Sequence, residues 1–271
     1  MNSKHFVLGG DIKKSLAEGY QFDLKKLFQD AFKVTRKHFL PLLTACLFIM
    51  LTFTAVFAML VKDMASIEDP RVLGLFFVIA LLIVPLFTTG LLMMGVHHSI
   101  GLKTKSFDLF KYFNIIFKLS LAALMVNLLT NIAGIVFAQV FGSIGFTLSV
   151  IVLLYLKMSF CLVYPLIAEK KVPPILALKL SFKLVHKNIG QFTQLLIIFC
   201  ILFFIGIITS GIGLLFIVPF CVNVMGIIYR QICGVGISVT EVPEGATNES
   251  STDKHSDDDD SSGPKSGGFE A

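Results

Sequence analysis

Residues 119–156 read LSLAALMVNLLTNIAGIVFAQVFGSIGFTLSVIVLLYL and contain no charged side chain. A helix that crosses a bilayer needs about 20 apolar residues, so this stretch is too long for one span. The segment Gln139–Ser143 combines polar residues with a glycine and is the expected break between two helices. The stretch therefore predicts a hairpin of two membrane-spanning helices.

The same reasoning applies to the rest of the chain, which is 55% hydrophobic and only 15% charged. Residues 38–61 and 72–96 each suit one span, and residues 188–229 suit two spans that separate at Ser210–Gly213. Four long helices with re-entrant pieces are the alternative, but lipid-exposed irregular backbone lacks hydrogen-bond partners. We predict an all-α bundle of six transmembrane helices, at about residues 39–61, 72–96, 119–139, 143–167, 189–210 and 213–235.

The distribution of positive charge predicts how these spans are oriented. Residues 1–37 carry eight Lys and Arg side chains, and the connections after the second and fourth spans are also rich in lysine. The connections on the opposite side hold only Lys62 and Arg71, beside three acidic residues. Because positively charged loops stay on the cytoplasmic side, both termini are expected in the cytoplasm.

Short segments that resemble one another precede the first, third and fifth spans. FDLKKLF at 22–28 parallels FDLFKYF at 107–113, and FKL recurs at 182–184. We predict three repeats, each an interfacial helix followed by a transmembrane hairpin. An apolar stripe beneath a basic face attracts anionic lipid, so Lys179, Lys183 and Lys187 are candidate headgroup contacts. The alternative is a helix packed on the protein's own cytoplasmic face.

The two ends of the chain differ from the transmembrane domain, which we place at residues 22–240. Residues 1–21 are expected to form an N-terminal cytoplasmic segment. Residues 241–271 carry a net charge of −7, against +12 for the rest of the chain. They are rich in Ser, Gly and Asp, which predicts a disordered cytoplasmic tail. The tail is either simply solvated or folds back over the basic helices.

Charged and amide side chains inside a span are candidates for function. Lys157 lies within the fourth span, where its ammonium group either reaches the headgroups or pairs inside the bundle with Glu169 or another acceptor. Asn127, Asn131 and Asn223 are expected to form interhelical hydrogen bonds or to line a solute path. Arg230 is a further candidate at the end of the sixth span.

No pattern of nucleophile, general base, metal ligands or nucleotide-binding glycines occurs in the sequence. We therefore expect no enzymatic activity, no cofactor and no metal site. Adjacent His97 and His98 point in different directions on a helix, unlike a pair of metal ligands spaced by one turn.

The stretch Tyr155–Glu169, with Lys157, Ser159 and Pro165, and the Ala-Leu-Lys-Leu-Ser run that begins at Ala177 resemble known families. These are bacterial six-helix membrane families without an assigned reaction: the YciC-like inner-membrane proteins and the membrane domain attached to some glycerophosphodiester phosphodiesterases. The resemblance implies the six-helix fold and a bacterial inner-membrane location. It also favours a paired role for Lys157, because those families carry a basic residue there. The soluble phosphodiesterase domain has no counterpart here, so its hydrolysis is not implied.

Together these features predict a multi-pass inner-membrane protein without catalytic chemistry. Its expected role is envelope organisation through anionic lipid headgroups or a protein partner, with no nucleic-acid partner. The alternative is a transporter or channel for a small solute. The sequence leaves open the identity of a protein partner and whether the chain forms oligomers.

Overall fold

The computed structural model describes residues 3–62, 70–209 and 211–240. The predicted acidic tail and the acidic connection at 63–69 lie outside these residues. The chain divides into two units, one of which contributes Ser3–His5 and Ser238–Thr240 to the described residues, while the other is Phe6–Ile237 and holds every described helix. The elements are β1 (Ser3–Leu8), α1 (Ile12–Ala17), α2 (Leu24–Lys37), α3 (Phe39–Lys62), α4 (Pro70–Ser99), a 3₁₀ helix (Ser106–Ile115), α5 (Ile116–Val140), α6 (Gly142–Ser159), α7 (Val163–Lys170), α8 (Pro174–Lys187), α9 (Ile189–Ile208), α10 (Leu214–Cys233) and β2 (Val235–Thr240).

Six helical stretches in the described part of the chain are long and apolar enough to cross a membrane. They correspond to α3, α4, α5 with the preceding 3₁₀ helix, α6 with α7, α9 and α10. The prediction of an all-α fold with six apolar helices is thereby confirmed. Strands β1 and β2 pair in a small two-stranded sheet, which was not predicted from the sequence.

The two double-length apolar stretches break at glycines. Helix α5 ends at Val140 and α6 begins at Gly142, whose φ of +55° is a left-handed conformation. Helix α9 ends at Ile208, and Gly211 with φ of +83° lies in the turn before α10. A side chain is strained in this conformation, whereas glycine adopts it freely. The break therefore falls where the backbone can reverse within a few residues.

The fourth apolar stretch was expected to be one helix over 143–167, but it is interrupted between α6 and α7. The hydroxyl of Ser181 in α8 donates a hydrogen bond to the carbonyl oxygen of Ser159 at 2.8 Å. The hydroxyl oxygen of Ser181 in turn accepts a hydrogen bond from the backbone N–H of Leu162 at 3.3 Å. The break leaves backbone N–H and C=O groups without partners inside the helix, and the buried hydroxyl of Ser181 bonds to two of them. The interruption is therefore compatible with an apolar environment.

The short helices before the hairpins differ in type. Helices α2 and α8 are α-helical over 14 residues each, whereas the middle segment is a 3₁₀ helix of 10 residues. At the start of α2, the carboxylate of Asp23 accepts from the backbone N–H of Lys25 at 2.8 Å. Pro174 begins α8, where its missing N–H is not needed. The threefold repeat itself stays a prediction.

Residues near the N-terminus contact the end of α10. The Ser15 hydroxyl in α1 donates to the carbonyl oxygen of Ile232 at 2.7 Å. The backbone N–H of Gly10 donates to the carbonyl oxygen of Arg230 at 3.0 Å. Phe6–Ile237 forms one compact unit, and these contacts lie within it. The cytoplasmic placement of residues 1–21 stays a prediction.

Helix α10 lies at the centre of the bundle and α3 at its edge. Half of the most apolar 18-residue segment of α10 is buried within the protein, whereas only 11% of the corresponding segment of α3 is buried. Helix α10 packs closely on α4, where a Cβ on Gly226 would lie 2.2 Å from the carbonyl carbon of Gly95. Small residues at this crossing let the two backbones approach, as is common between membrane helices.

Candidate functional site

Contacts among helix termini place the basic segments at one end of the bundle. The guanidinium of Arg230, near the end of α10, donates to the carbonyl oxygen of Ser99 at the end of α4. The backbone N–H of Phe22, just before α2, donates to the side-chain oxygen of Gln191 at the start of α9 at 3.1 Å. We call this end of the bundle the basic end, because α2 and α8 carry its lysines.

The lysines of α8 project outwards from the basic end. Lys179, Lys183 and Lys187 are exposed, whereas Ala177 and Leu184 on the same helix are buried against the bundle. No described carboxylate lies within 4.0 Å of these three ammonium groups. Three large apolar side chains beside them are also exposed: Ile175, Leu176 and Phe182. An exposed surface that is both basic and apolar suits the headgroup region of a bilayer.

A cavity of about 490 Å³ opens beside the basic side chains of α8. Lys183, Lys187 and His186 line it, together with Leu16 and Phe182. His186 donates from Nδ1 to the carbonyl oxygen of Phe182 at 2.7 Å, and its Nε2 is hydrogen-bonded to the hydroxyl of Tyr155. These two hydrogen bonds fix the orientation of the imidazole ring, and the two lysines contribute positive charge to the cavity.

Asn223, one of the predicted polar residues, belongs to a buried network that links α10, α4 and α2. Its amide nitrogen donates to the Thr35 hydroxyl at 2.9 Å, and its amide oxygen lies 3.2 Å from His98 Nδ1. His98 Nε2 lies 2.7 Å from the Thr104 hydroxyl. All four side chains are buried. This arrangement fits a neutral imidazole that donates from Nδ1 and accepts at Nε2.

His38 stacks on His98 with ring centroids 4.4 Å apart. Burial lowers the pKa of His38 below its ordinary value of 6.5, and the nearby Lys37 and Lys103 lower it further. This network was not predicted from the sequence. A histidine within an apolar run was the available signal, but its partners are distant in sequence.

Glu169 occupies a second polar cluster and does not pair with Lys157. The buried Tyr229 donates from its hydroxyl to Glu169 Oε2 at 2.8 Å. Glu169 Oε1 accepts the backbone N–H of Gly236 at 3.1 Å and lies 3.2 Å from the ammonium of Lys170. These contacts fasten the end of α7 to α10 and to the strand that follows it.

Arg230, the last of the predicted interfacial residues, joins the ends of two spans. Its guanidinium donates to the carbonyl oxygen of Ser99 in α4. Its backbone oxygen accepts the N–H groups of Gly10 and Gly234, both at 3.0 Å. This residue caps a helix end, because the last carbonyl groups of a helix have no partner within it.

Lys157 lies beside Asn127 and Asn131, two of the residues singled out in the sequence. Its ammonium group donates to the side-chain oxygen of Asn127 on α5 at 2.8 Å. The amide of Asn131 donates to the backbone oxygen of Asn127 at 2.8 Å, within the same helix. No described carboxylate lies within 4.0 Å of Lys157, whose side chain is exposed. The three asparagines thus fall in two separate places, since Asn223 is part of the network around His98.

Lys157 also lines a cavity of about 350 Å³ between the helices. Its walls come from α4, α5, α6, α7, α9 and α10 and are apolar for the most part. Thr88 is one polar member, but its hydroxyl already donates to the carbonyl oxygen of Val84 at 2.8 Å. The cavity therefore combines one cationic group with an apolar interior, as small-molecule sites often do.

Within the part of the chain that the structure describes, no three His, Cys, Asp or Glu side chains are grouped as metal ligands. The five cysteines are free thiols.

The surface outside these clusters defines the class of protein. Large apolar side chains are exposed along the apolar helices, among them Phe117, Phe146, Phe204 and Ile208. Such a surface is stable in lipid and not in water. The chain is a multi-pass helical membrane protein. Comparisons with protein-family models, curated proteins and solved structures give no match to this chain.

Proposed function

We propose that this protein binds anionic lipid headgroups through the basic end of its bundle and has no catalytic role. The observation that carries the proposal is the α8 surface, where three exposed lysines lie beside exposed apolar side chains and a cavity. A lysine held near an anionic bilayer surface contributes about 1 kcal/mol to binding. Three such lysines on one helix favour anionic over zwitterionic lipid.

The proposed setting is a bacterial inner membrane with both termini in the cytoplasm. The positive-inside rule supports this orientation, because α2, α8 and the connection after α4 carry ten lysines, whereas the connections on the opposite side carry only Lys62 and Arg71. The resemblance to YciC-like proteins supports the location. A fluorescent protein fused to the C-terminus should fluoresce, since most such reporters mature only in the cytoplasm. A fusion that is fully expressed but does not fluoresce would contradict the proposed orientation.

The lipid proposal is tested by replacing the three α8 lysines together with glutamine. The detergent-purified protein would be mixed with phosphatidylglycerol and phosphatidylcholine, and the bound lipids counted by native mass spectrometry. Loss of about 3 kcal/mol of attraction should reduce the preference for phosphatidylglycerol more than tenfold.

Two matched variants complete this test. Replacing Lys179, Lys183 and Lys187 with arginine retains the charge and should retain the preference. Replacing Lys25, Lys26 and Lys37 with glutamine removes the same charge from α2 and should have a smaller effect, because those residues do not line the α8 cavity. If the α2 and α8 variants lose the preference for phosphatidylglycerol equally, the preference is a general effect of charge and not a property of α8. If the α8 variant keeps the preference, the proposal is refuted.

The transporter alternative requires Asn127, Asn131 and Asn223 to line one continuous path. Asn223 instead has its amide nitrogen and oxygen bonded to Thr35 and His98, and it lies apart from the pair on α5. We therefore retain lipid binding as the proposed function. If Asn223→Ala altered solute uptake into proteoliposomes, that result would support the transporter alternative.

A further inference from the structure

Lys157 places a positive charge deep within the apolar part of the bundle. It follows the first residue of α6, Gly142, by 15 positions, or about 22 Å of helix at 1.5 Å per residue. The hydrocarbon core of a bilayer is about 30 Å thick, so Lys157 lies within it, nearer to the basic end. On insertion scales a charged side chain costs about 2.5–3.5 kcal/mol at the bilayer centre, and this value is an upper bound for Lys157. A partner for the ammonium group would offset that cost.

The protein supplies only part of that compensation. Among the described residues, Asn127 provides the single hydrogen-bond acceptor of the ammonium group, and it is a neutral amide. Glu169 is already bonded to Tyr229, Gly236 and Lys170. The exposed side chain of Lys157 leaves room for an anion to approach. An anion would neutralise the charge where low dielectric strengthens the attraction.

The cavity beside Lys157 is suited to an apolar chain. Phe160, Leu195 and Phe199 are among its lining residues, and its volume is about 350 Å³. A water-sized group occupies about 30 Å³, so the cavity holds on the order of a dozen such groups. That matches a medium-length acyl chain, and a longer chain can extend through the open side into the surrounding lipid.

We propose that this cavity is a binding site for an amphipathic anion of the lipid class. The carboxylate or phosphate of the ligand pairs with the Lys157 ammonium, and its acyl chain lies along Phe160, Leu195 and Phe199. The site is distinct from the α8 surface, because none of the α8 lysines lines this cavity. Each site can therefore fail its test without the other failing.

The absence of tryptophan from this chain makes a direct test possible. Phe199→Trp introduces a single fluorophore at the cavity wall. Bromine quenches indole fluorescence at short range, so bromine-labelled dodecanoate should quench this variant saturably in nanodiscs of phosphatidylcholine. Phe146→Trp is the matched control, because Phe146 is 75% exposed and does not line the cavity. It should show only weak, unsaturable quenching.

The charge is tested in the Phe199→Trp background. Lys157→Met should weaken dodecanoate binding at least tenfold, and Lys157→Arg should weaken it far less. Circular dichroism and the melting temperature verify that both variants fold. Lys179, Lys183 and Lys187 changed together to glutamine should leave quenching unaltered. If this triple variant loses its preference for phosphatidylglycerol but keeps its quenching by dodecanoate, the result concerns only the α8 surface.

Two further ligands separate the possible sources of the anion. Quenching by brominated dodecanoate alone assigns a fatty carboxylate, and quenching by brominated phosphatidylglycerol assigns a phospholipid headgroup. Either result, if it depends on Lys157, supports the site. Quenching that is equal with brominated phosphatidylcholine, or that survives Lys157→Met unchanged, overturns the proposal.

Discussion

The side-chain amide of Asn223 donates a hydrogen bond to the hydroxyl of Thr35 at 2.9 Å, although the two residues are 188 positions apart in sequence. The bond joins α10, at the centre of the bundle, to α2 at its basic end. Asn223 also contacts His98 of α4, so one side chain connects three helices. A fixed α2 holds its basic face in one orientation relative to the bundle.

Asn223→Ala should destabilise the protein. The change removes one partner each from the buried His98 and Thr35, and an unsatisfied buried polar group costs about 1–3 kcal/mol. Thermal unfolding in detergent should show a clearly lower melting temperature. Asn131→Ala is the control, because Asn131 is exposed and bonds only within its own helix. Equal stability of the two variants would contradict the role assigned to the network.

Gly226→Ala should separate α10 from α4. The added Cβ would lie 2.2 Å from the carbonyl carbon of Gly95, which is backbone and cannot turn aside. Overpacking of this kind costs about 1–3 kcal/mol, so the melting temperature should fall. Gly134→Ala, in the interior of α5, has no atom within 4 Å of the new Cβ and should be neutral or slightly stabilising. A tolerated Gly226→Ala would mean that the two helices are less closely packed.

Tyr229→Phe should loosen the end of α7. The substitution removes the hydroxyl that donates to Glu169 Oε2 and leaves a partly buried carboxylate with fewer donors. The expected loss is about 1–3 kcal/mol of unfolding free energy. Tyr112→Phe serves as the control, since its hydroxyl makes no hydrogen bond to a described residue. Hydrogen exchange of the α7 amides should increase in the first variant and stay constant in the second.

Lys157→Met should leave the stability of the ligand-free protein unchanged or raise it. The change removes a charge from an apolar environment and loses a single hydrogen bond to Asn127. Stability gained at the expense of binding is typical of functional sites. The melting temperature without added lipid is the measurement. A fall of several degrees would show that Lys157 and its partner stabilise the fold, which is the paired role that the sequence also allows.

Stability should decrease as the pH falls below about 6.5. His38 has a lowered pKa in the folded protein because it is buried beside Lys37 and Lys103. Below its unfolded pKa the unfolded chain binds the proton that the folded chain excludes, so acid favours unfolding. His38→Phe keeps the stacking on His98 and should flatten this part of the pH profile. Melting curves between pH 5 and pH 8 test it, and an unchanged slope would contradict it.

Hydrophobic run length and charge position were sufficient to predict the six apolar helices. A span of about 20 apolar residues and a glycine at a reversal are local properties, so the turns at Gly142 and Gly211 could be read from the sequence. The break between α6 and α7 could not be, because it depends on the hydroxyl of Ser181 from another helix.

The partners of the polar residues depended on tertiary structure. The sequence singled out Lys157, Glu169 and Asn223 because polar groups in apolar runs must be satisfied. It could not say which partner each would have. Lys157 bonds to Asn127, while Glu169 bonds to Tyr229. The lengths of the apolar runs in a chain determine how many helices can enter the bilayer. The hydrogen bonds between those helices depend on which helix faces meet, and packing across long sequence separations decides that.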